Sequence, residues 1–200
     1  MKNLLIHSCA ALLCVFNLSV AAADNATVPK AGPRVALFDG KTLDGWDVLK
    51  CEAVVENGNI FLRGGNGMVQ TKKQYGDFII EFEWKSLKED QWDSGVYFRY
   101  DSIPANKPWP PRYQANMRKG LEGNVGGLKE ATSLGLFKNG DWNTFKMTVR
   151  GTMVEMEING KPAWKADGLE GPKAGFIGLQ AEIPGGGQCL FRNVFITELK

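Results

Sequence analysis

The chain has 200 residues, with six Trp, four Cys, a single His and a formal net charge of +2. His7, Cys9 and Cys14 all lie in an apolar leader, so the 177 residues after position 23 hold two Cys and no His. That remainder cannot run a Ser-His-Asp or Cys-His triad or bind zinc through imidazole, and its acids and bases must be carboxylates, Lys, Tyr or Cys.

Residues 1–23 read as a signal peptide. Lys2 gives a positive start, Leu4 to Val20 is mostly apolar, and Ala21-Ala22-Ala23 offers a cleavage site. The chain is therefore expected to be exported, to the periplasm or beyond. No other stretch approaches the ~18 apolar residues of a membrane span, so no span is expected in the mature chain. Near-neutral charge without a basic run argues against nucleic acid as a partner. Residues 24–34, with Pro29, Gly32 and Pro33, read as a flexible lead-in, and 35–200 as one domain. In an oxidising compartment Cys51 and Cys189, near the first and last strands, either form a disulfide or remain two separate buried thiols.

Along the domain, short alternating stretches recur between Gly, Asn, Asp and Pro. Phe78, Ile80, Phe82 and Trp84 alternate with Ile79, Glu81, Glu83 and Lys85; the same holds around Val96, Phe145 and Val154. Asn57-Gly58 and Asn159-Gly160 are hairpin signals. Many short strands and 24 Gly predict an all-β antiparallel sandwich or jelly roll. Residues 101–135 break the pattern with Pro104, Pro108, Pro110 and Pro111 and five glycines. Trp109, Tyr113 and Met117 would anchor that stretch as an ordered loop over the sheet.

Period two places Glu81 and Glu83 on one face, and Tyr97 and Arg99 on one face of a following strand. If those strands pair as a hairpin, all four share a face, which reads either as a solvated salt-bridged surface or as a site. Gln180 and Glu182 likewise share a face, ahead of Pro184 and the Gly185-Gly186-Gly187 run. That run lacks the residues of a phosphate loop. Trp84 and Trp164 occupy core-like positions. Trp92, Trp109 and Trp142 sit in loops, as sugar-stacking rings or as caps on the sandwich ends.

Phe38-Asp39-Gly40-Lys41-Thr42-Leu43-Asp44-Gly45-Trp46 resembles the opening motif of the 3-keto-disaccharide hydrolase domain family. The resemblance continues through Tyr75-Gly76-Asp77-Phe78, Glu83-Trp84-Lys85, Ser94-Gly95-Val96-Tyr97-Phe98-Arg99, Asp141-Trp142-Asn143, Asn159-Gly160, Gly178-Leu179-Gln180 and Phe191-Arg192-Asn193-Val194. It covers about residues 35–199. It implies a concanavalin A-like jelly roll whose concave sheet carries the ligand, with the 101–135 loop over that face. It also implies a hydrolase or lyase cleaving 3-keto-glycosides, since a 3-keto group acidifies the C2 hydrogen and opens an elimination route.

On that basis Glu182 is the expected base or acid, Glu83 its partner, and Arg99, or a bound divalent metal, the oxyanion stabiliser. Gln180, Gln114, Asn116 and Tyr97 would hold hydroxyls, and Trp109 or Trp142 would stack the ring. The alternative is a non-catalytic carbohydrate-binding module using the same groove. The chain departs from the family pattern twice: Glu182 stands where many members carry His, and Tyr113-Gln114-Ala115-Asn116 replaces a Tyr-Glu-x-Gln pattern.

Overall fold

In a computed structural model, residues 30–133 and 135–200 are described, so the expected signal peptide lies outside the described residues. The strands are β1 (Ala31–Ala36), β2 (Trp46–Glu56), β3 (Asn59–Thr71), β4 (Phe78–Ser86), β5 (Gly95–Tyr100), β6 (Gln114–Asn116), β7 (Asn143–Arg150), β8 (Met153–Ile158), β9 (Lys161–Ala166), β10 (Phe176–Glu182) and β11 (Cys189–Leu199). One helical turn, α1 (Ile183–Gly186), separates the last two. The alternation is realised directly: Phe78, Ile80, Phe82 and Trp84 of β4 are buried, while Glu81, Glu83 and Lys85 lie on the other face. At both Asn-Gly pairs, φ is positive at Asn57 and Gly58 and at Asn159 and Gly160, as a tight hairpin turn requires.

Every strand pairing is antiparallel, in the order β6-β5-β10-β3-β11-β4-β7-β8-β9, with β2 added beside β3 and β1 beside β11. The sheet doubles back at β3. Ile60–Leu62 pair with β11, and Asn66–Gln70 pair with β10. Glycines make that bend: Gly65 has φ +82, and a Cβ on Gly67 would overlap the Leu49 carbonyl of β2. Both leaves turn an apolar face into one core, where Ile60, Leu62, Val96, Phe98, Ile177 and Leu179 meet Phe78, Ile80, Phe82, Phe145, Met147 and Phe191. Phe82 and Phe145 stack across neighbouring strands with ring centroids 5.1 Å apart. The architecture is a jelly-roll sandwich.

Two expectations need correction, and two questions the sequence leaves open are answered. The lead-in does not extend to residue 34, because Ala31–Ala36 forms β1 on β11, with Arg34 stacked over Phe195 at 3.5 Å. The 101–135 stretch is not wholly irregular, since it contributes β6, which pairs with β5. β4 and β5 are not a hairpin: β4 pairs with β7 and β11, and β5 with β6 and β10. The Cys51–Cys189 bridge is absent and both thiols are free. The reason is that β3 runs between their strands, with Cys51 opposite Gly65 and Cys189 opposite Leu62. Two strand spacings, about 9.5 Å, exceed the ~7 Å Cα separation a disulfide tolerates.

Candidate functional site

The face of β6, β5, β10 and β3 turned away from the core carries a row of polar residues. Register sets it: Asn116 opposes Gly95, Gly95 opposes Gln180, and Gln180 opposes Met68. In the next row Gln114 opposes Tyr97, Tyr97 opposes Gly178, and Gly178 opposes Gln70. The two glycines are spaces that neighbours fill. A Cβ on Gly95 would overlap the Gln114 side chain, and one on Gly178 would lie 2.5 Å from the Tyr100 hydroxyl. Tyr100 crosses Gly178 to donate to Gln70 Oε1 at 2.9 Å.

This face is covered rather than flat. Met68, Tyr97 and Tyr100 form a second buried cluster, with Ile103, Trp109 and Phe176 packed against it. The segment after β5 therefore crosses the sheet as a strap. Lys50 of β2, two strands beyond β10, holds it by donating from Nζ to the carbonyls of Ala105 at 3.0 Å and Lys107 at 2.9 Å.

Hydrogen bonds run in one direction along the groove. Gln114 Nε2 donates to Gln180 Oε1 at 2.5 Å, and Gln180 Nε2 donates to Glu182 Oε2 at 2.9 Å. Ser94 braces the chain from below: its hydroxyl donates to the Gln180 carbonyl at 2.8 Å, and its own carbonyl accepts from Gln114 Nε2 at 3.3 Å. With Oε2 of Glu182 occupied, Oε1 faces Gly185, 3.8 Å from where a Cβ there would stand. A cavity of ≈ 360 Å³ opens at this end, lined by Gln91, Trp92, Asp93, Arg118, Lys119, Glu182 and Gly185.

The electrostatics single out Glu182. Burial raises its pKa and the nearby Asp93 carboxylate raises it further, against the pull of Arg118 and of the Gln180 amide. Burial also raises Asp93, opposed by Arg118, whose Nε lies 3.6 Å from Asp93 Oδ2. Tyr97 is pushed well above an ordinary phenol by burial, then by Glu182 and Asp93. The triple glycine is explained by close approach: Gly186 presses on the backbone of Asp93, where a Cβ would lie 2.6 Å from the Asp93 nitrogen. Asp93 N donates to the Gly186 carbonyl at 3.1 Å.

The structure thus gathers Glu182, Gln180, Gln114, Asn116 and Tyr97 on one face, with Trp109 packed on its covered part. It does not bring Glu83, Arg99 or Trp142 there. Glu83 lies on the opposite leaf, where Oε2 accepts from Arg192 Nε at 2.7 Å and Oε1 from Asn193 Nδ2 at 2.6 Å. Trp142 lies beside it, its ring under the Arg192 guanidinium at 3.9 Å. That outer face holds a cleft of ≈ 230 Å³, but its charges are already paired: Glu81 with Arg34 and Glu157 with Lys146.

Arg99 sits in a β-bulge with φ 54, where the β5–β10 register shifts, so it leaves the alternation of its strand. Its guanidinium is 6% exposed and donates to the carbonyls of Pro172 at 2.8 Å and Gly76 at 3.2 Å. Trp92 is buried and stacks on Phe137. Asp93 and Arg118 escaped sequence reading because they flank strands and meet only through the Gly186 contact and the loop after β6.

Among the described residues, no group of three or more His, Cys, Asp or Glu is placed to hold a metal ion. Asp93 and Glu182 alone, with Arg118 beside them, are a poor donor set for a divalent cation, and no step below uses one.

The fold and site together define a jelly-roll β-sandwich with an amide-and-carboxylate groove. The 3-keto-alpha-glucoside-1,2-lyase-like domain model matches residues 33–197, and the chain belongs to that family. Family membership makes the chain glycoside-acting or carbohydrate-binding. Solved structures share the fold. A Parabacteroides distasonis protein provisionally described as a glycosyl hydrolase is 20% identical, covering 84% of this chain and 94% of its own, with TM-score 0.68. The carbohydrate-binding module CBM66 from Bacillus subtilis is 16% identical over 75% of this chain and 93% of its own, with TM-score 0.57. The Bacillus licheniformis β-glucanase is 12% identical over 88% of this chain and 100% of its own, with TM-score 0.53. The curated proteins offer no match. Among the described residues no helix is long and apolar enough to cross a membrane.

Proposed function

We propose that this chain is an exported enzyme that cleaves 3-keto-glycosides, with Glu182 as the base. The observation that carries the reading is the state of that carboxylate. One oxygen is tied to Gln180, the other faces a cavity, and burial beside Asp93 raises its pKa. A base is most effective when its pKa approaches the working pH, and Glu182 is displaced in that direction.

Glu182 Oε1 takes the C2 proton, which the neighbouring C3 carbonyl has acidified, and the electron pair is held as an enediolate. Arg118, at the cavity wall, offers the positive charge for that oxyanion which the buried Arg99 cannot. The pair then forms the C1=C2 bond as the C1–O bond breaks. Water added across the new double bond completes a net hydrolysis. Gln114, Asn116 and Gln180 are placed to orient hydroxyls. Export rests on the leader, Lys2 through Ala23.

The same amide row also suits a binding module that performs no chemistry. Purified protein is incubated with 3-keto-glucosides and the released alcohol or phenol is measured. Turnover that disappears in Glu182→Gln supports the enzyme. Absence of turnover together with binding of unoxidised oligosaccharide supports the module.

A further inference from the structure

We propose that Tyr97 is the proton donor to the departing C1 oxygen. The assignment rests on the reaction proposed above and deepens it. Elimination frees an alkoxide that needs a proton at the moment of bond breaking, and the domain has no histidine to supply one.

The candidate donors near the groove are few. Tyr100 has already given its hydroxyl proton to Gln70. Asp93 is held by Arg118, and Lys119 is paired with Asp90. Tyr113 points elsewhere, its hydroxyl accepting from Glu170 N at 3.1 Å. Tyr97 differs from all of these. Its ring is 5% exposed, locked against Met68 and edge-on to Tyr100 at 6.5 Å.

Its hydroxyl takes part in none of the hydrogen bonds among the described residues, whereas the buried polar side-chain atoms left without a partner are the Trp84 and Trp92 indole nitrogens. Among the described residues the phenolic oxygen is thus neither hydrogen-bonded nor one of the fully enclosed unpartnered atoms. A well-packed ring with an uncommitted hydroxyl leaves that oxygen available to a ligand.

Placement fits the chemistry. Tyr97 opposes Gly178, whose open side Met68 and Tyr100 fill, and its phenol lies close enough to Glu182 and Asp93 to feel both charges. Burial first, and then Glu182 and Asp93, keep the phenol protonated, as a donor must be before the step.

The protons balance. Glu182 gains the C2 proton, and the C1–O electron pair takes the phenolic proton. The neutral Glu182 then returns its proton through groove water to the Tyr97 phenolate. The net result is transfer of one proton from C2 to the leaving oxygen.

Tyr97→Phe is compared with the wild-type protein on 3-keto-glucosides whose leaving groups run from p-nitrophenol to simple alcohols. Nitrophenolate needs no proton; an alkoxide does. We expect kcat on the alkyl substrates to fall by about 10²–10³-fold and on the nitrophenyl substrate to change little, while Glu182→Gln depresses both alike. An equal loss on both substrates, or none on either, overturns the assignment. If Tyr97→Phe fails to fold, 3-fluorotyrosine at position 97 preserves the packing. The slope of rate against leaving-group acidity must then change, and an unchanged slope overturns the proposal. Absence of wild-type turnover across the series overturns the reaction and the role of Tyr97 together; intact wild-type turnover with a uniform loss in the variant overturns the role alone.

Discussion

The two leaves of the sandwich carry glutamates in opposite circumstances. On the outer face, Glu83 has both oxygens engaged, by Arg192 and by Asn193, and Glu81 is joined to Arg34. On the groove face, Glu182 has an amide on one oxygen, a cavity at the other, and a second carboxylate nearby. Sequence alternation puts all three on polar faces and cannot rank them. The difference teaches that a carboxylate surrounded by cations is already satisfied and holds strands together. One kept among amides and another acid retains capacity for a proton.

The largest expected effect tests that contrast directly. Glu182→Gln should lower kcat on a 3-keto-glucoside by about 10²–10⁴-fold, the usual worth of a general base, with an unchanged circular dichroism spectrum. Retained turnover would return Glu182 to the class of Glu83.

Next in size is Arg99→Ala, which strands the half-buried carbonyls of Gly76 and Pro172. Urea unfolding should show a loss of about 2–3 kcal/mol, while kcat at a permissive temperature stays near wild type. A selective fall in kcat would put Arg99 back in the groove.

Glu83→Gln should cost only about 1 kcal/mol of stability, because the Arg192 partner is 38% exposed. Turnover should be untouched.

The smallest effect is a pH dependence. A carboxyl whose pKa is raised by folding binds its proton more tightly in the native state. Its contribution to stability is therefore lost as pH rises from the unfolded carboxylate range through the raised value. Glu182→Gln should accordingly melt slightly above wild type at pH 7, and the two should converge at acid pH. The opposite order at pH 7 would mean that Glu182 is stabilised as an anion.

Much of the scaffold was legible because its motifs serve the scaffold. Asp39 accepts from the backbone of Lys41 and Thr42 at 2.8 Å each, and Trp46 caps the Leu37 carbonyl at 2.7 Å. Asn143, fully buried, satisfies Lys138, Asp141 and Asn159. Each of these contacts is local or turn-bound, and residue type and spacing suffice to expect it. The face of Gln180 and Glu182 was legible for the same reason, since β10 keeps strict alternation in that half.

Arg99 was misplaced because one bulged residue breaks the alternation, and nothing in Val96-Tyr97-Phe98-Arg99 marks it beforehand. Glu83 was misplaced because alternation gives a face within a strand but not the leaf to which the strand belongs. Asp93 and Arg118 depend on loops brought together by Gly186, a long-range contact that no local pattern encodes.

Two positions in the groove act by lacking a side chain. Gly95 leaves the space that Gln114 fills, and Gly178 the space that Tyr100 and Met68 fill. The capacity of the site is therefore set by subtraction, and one added methyl group would spoil it while every charged residue stayed in place. A relative could lose this chemistry with its carboxylates intact, so a survey of acidic residues alone would count it as competent.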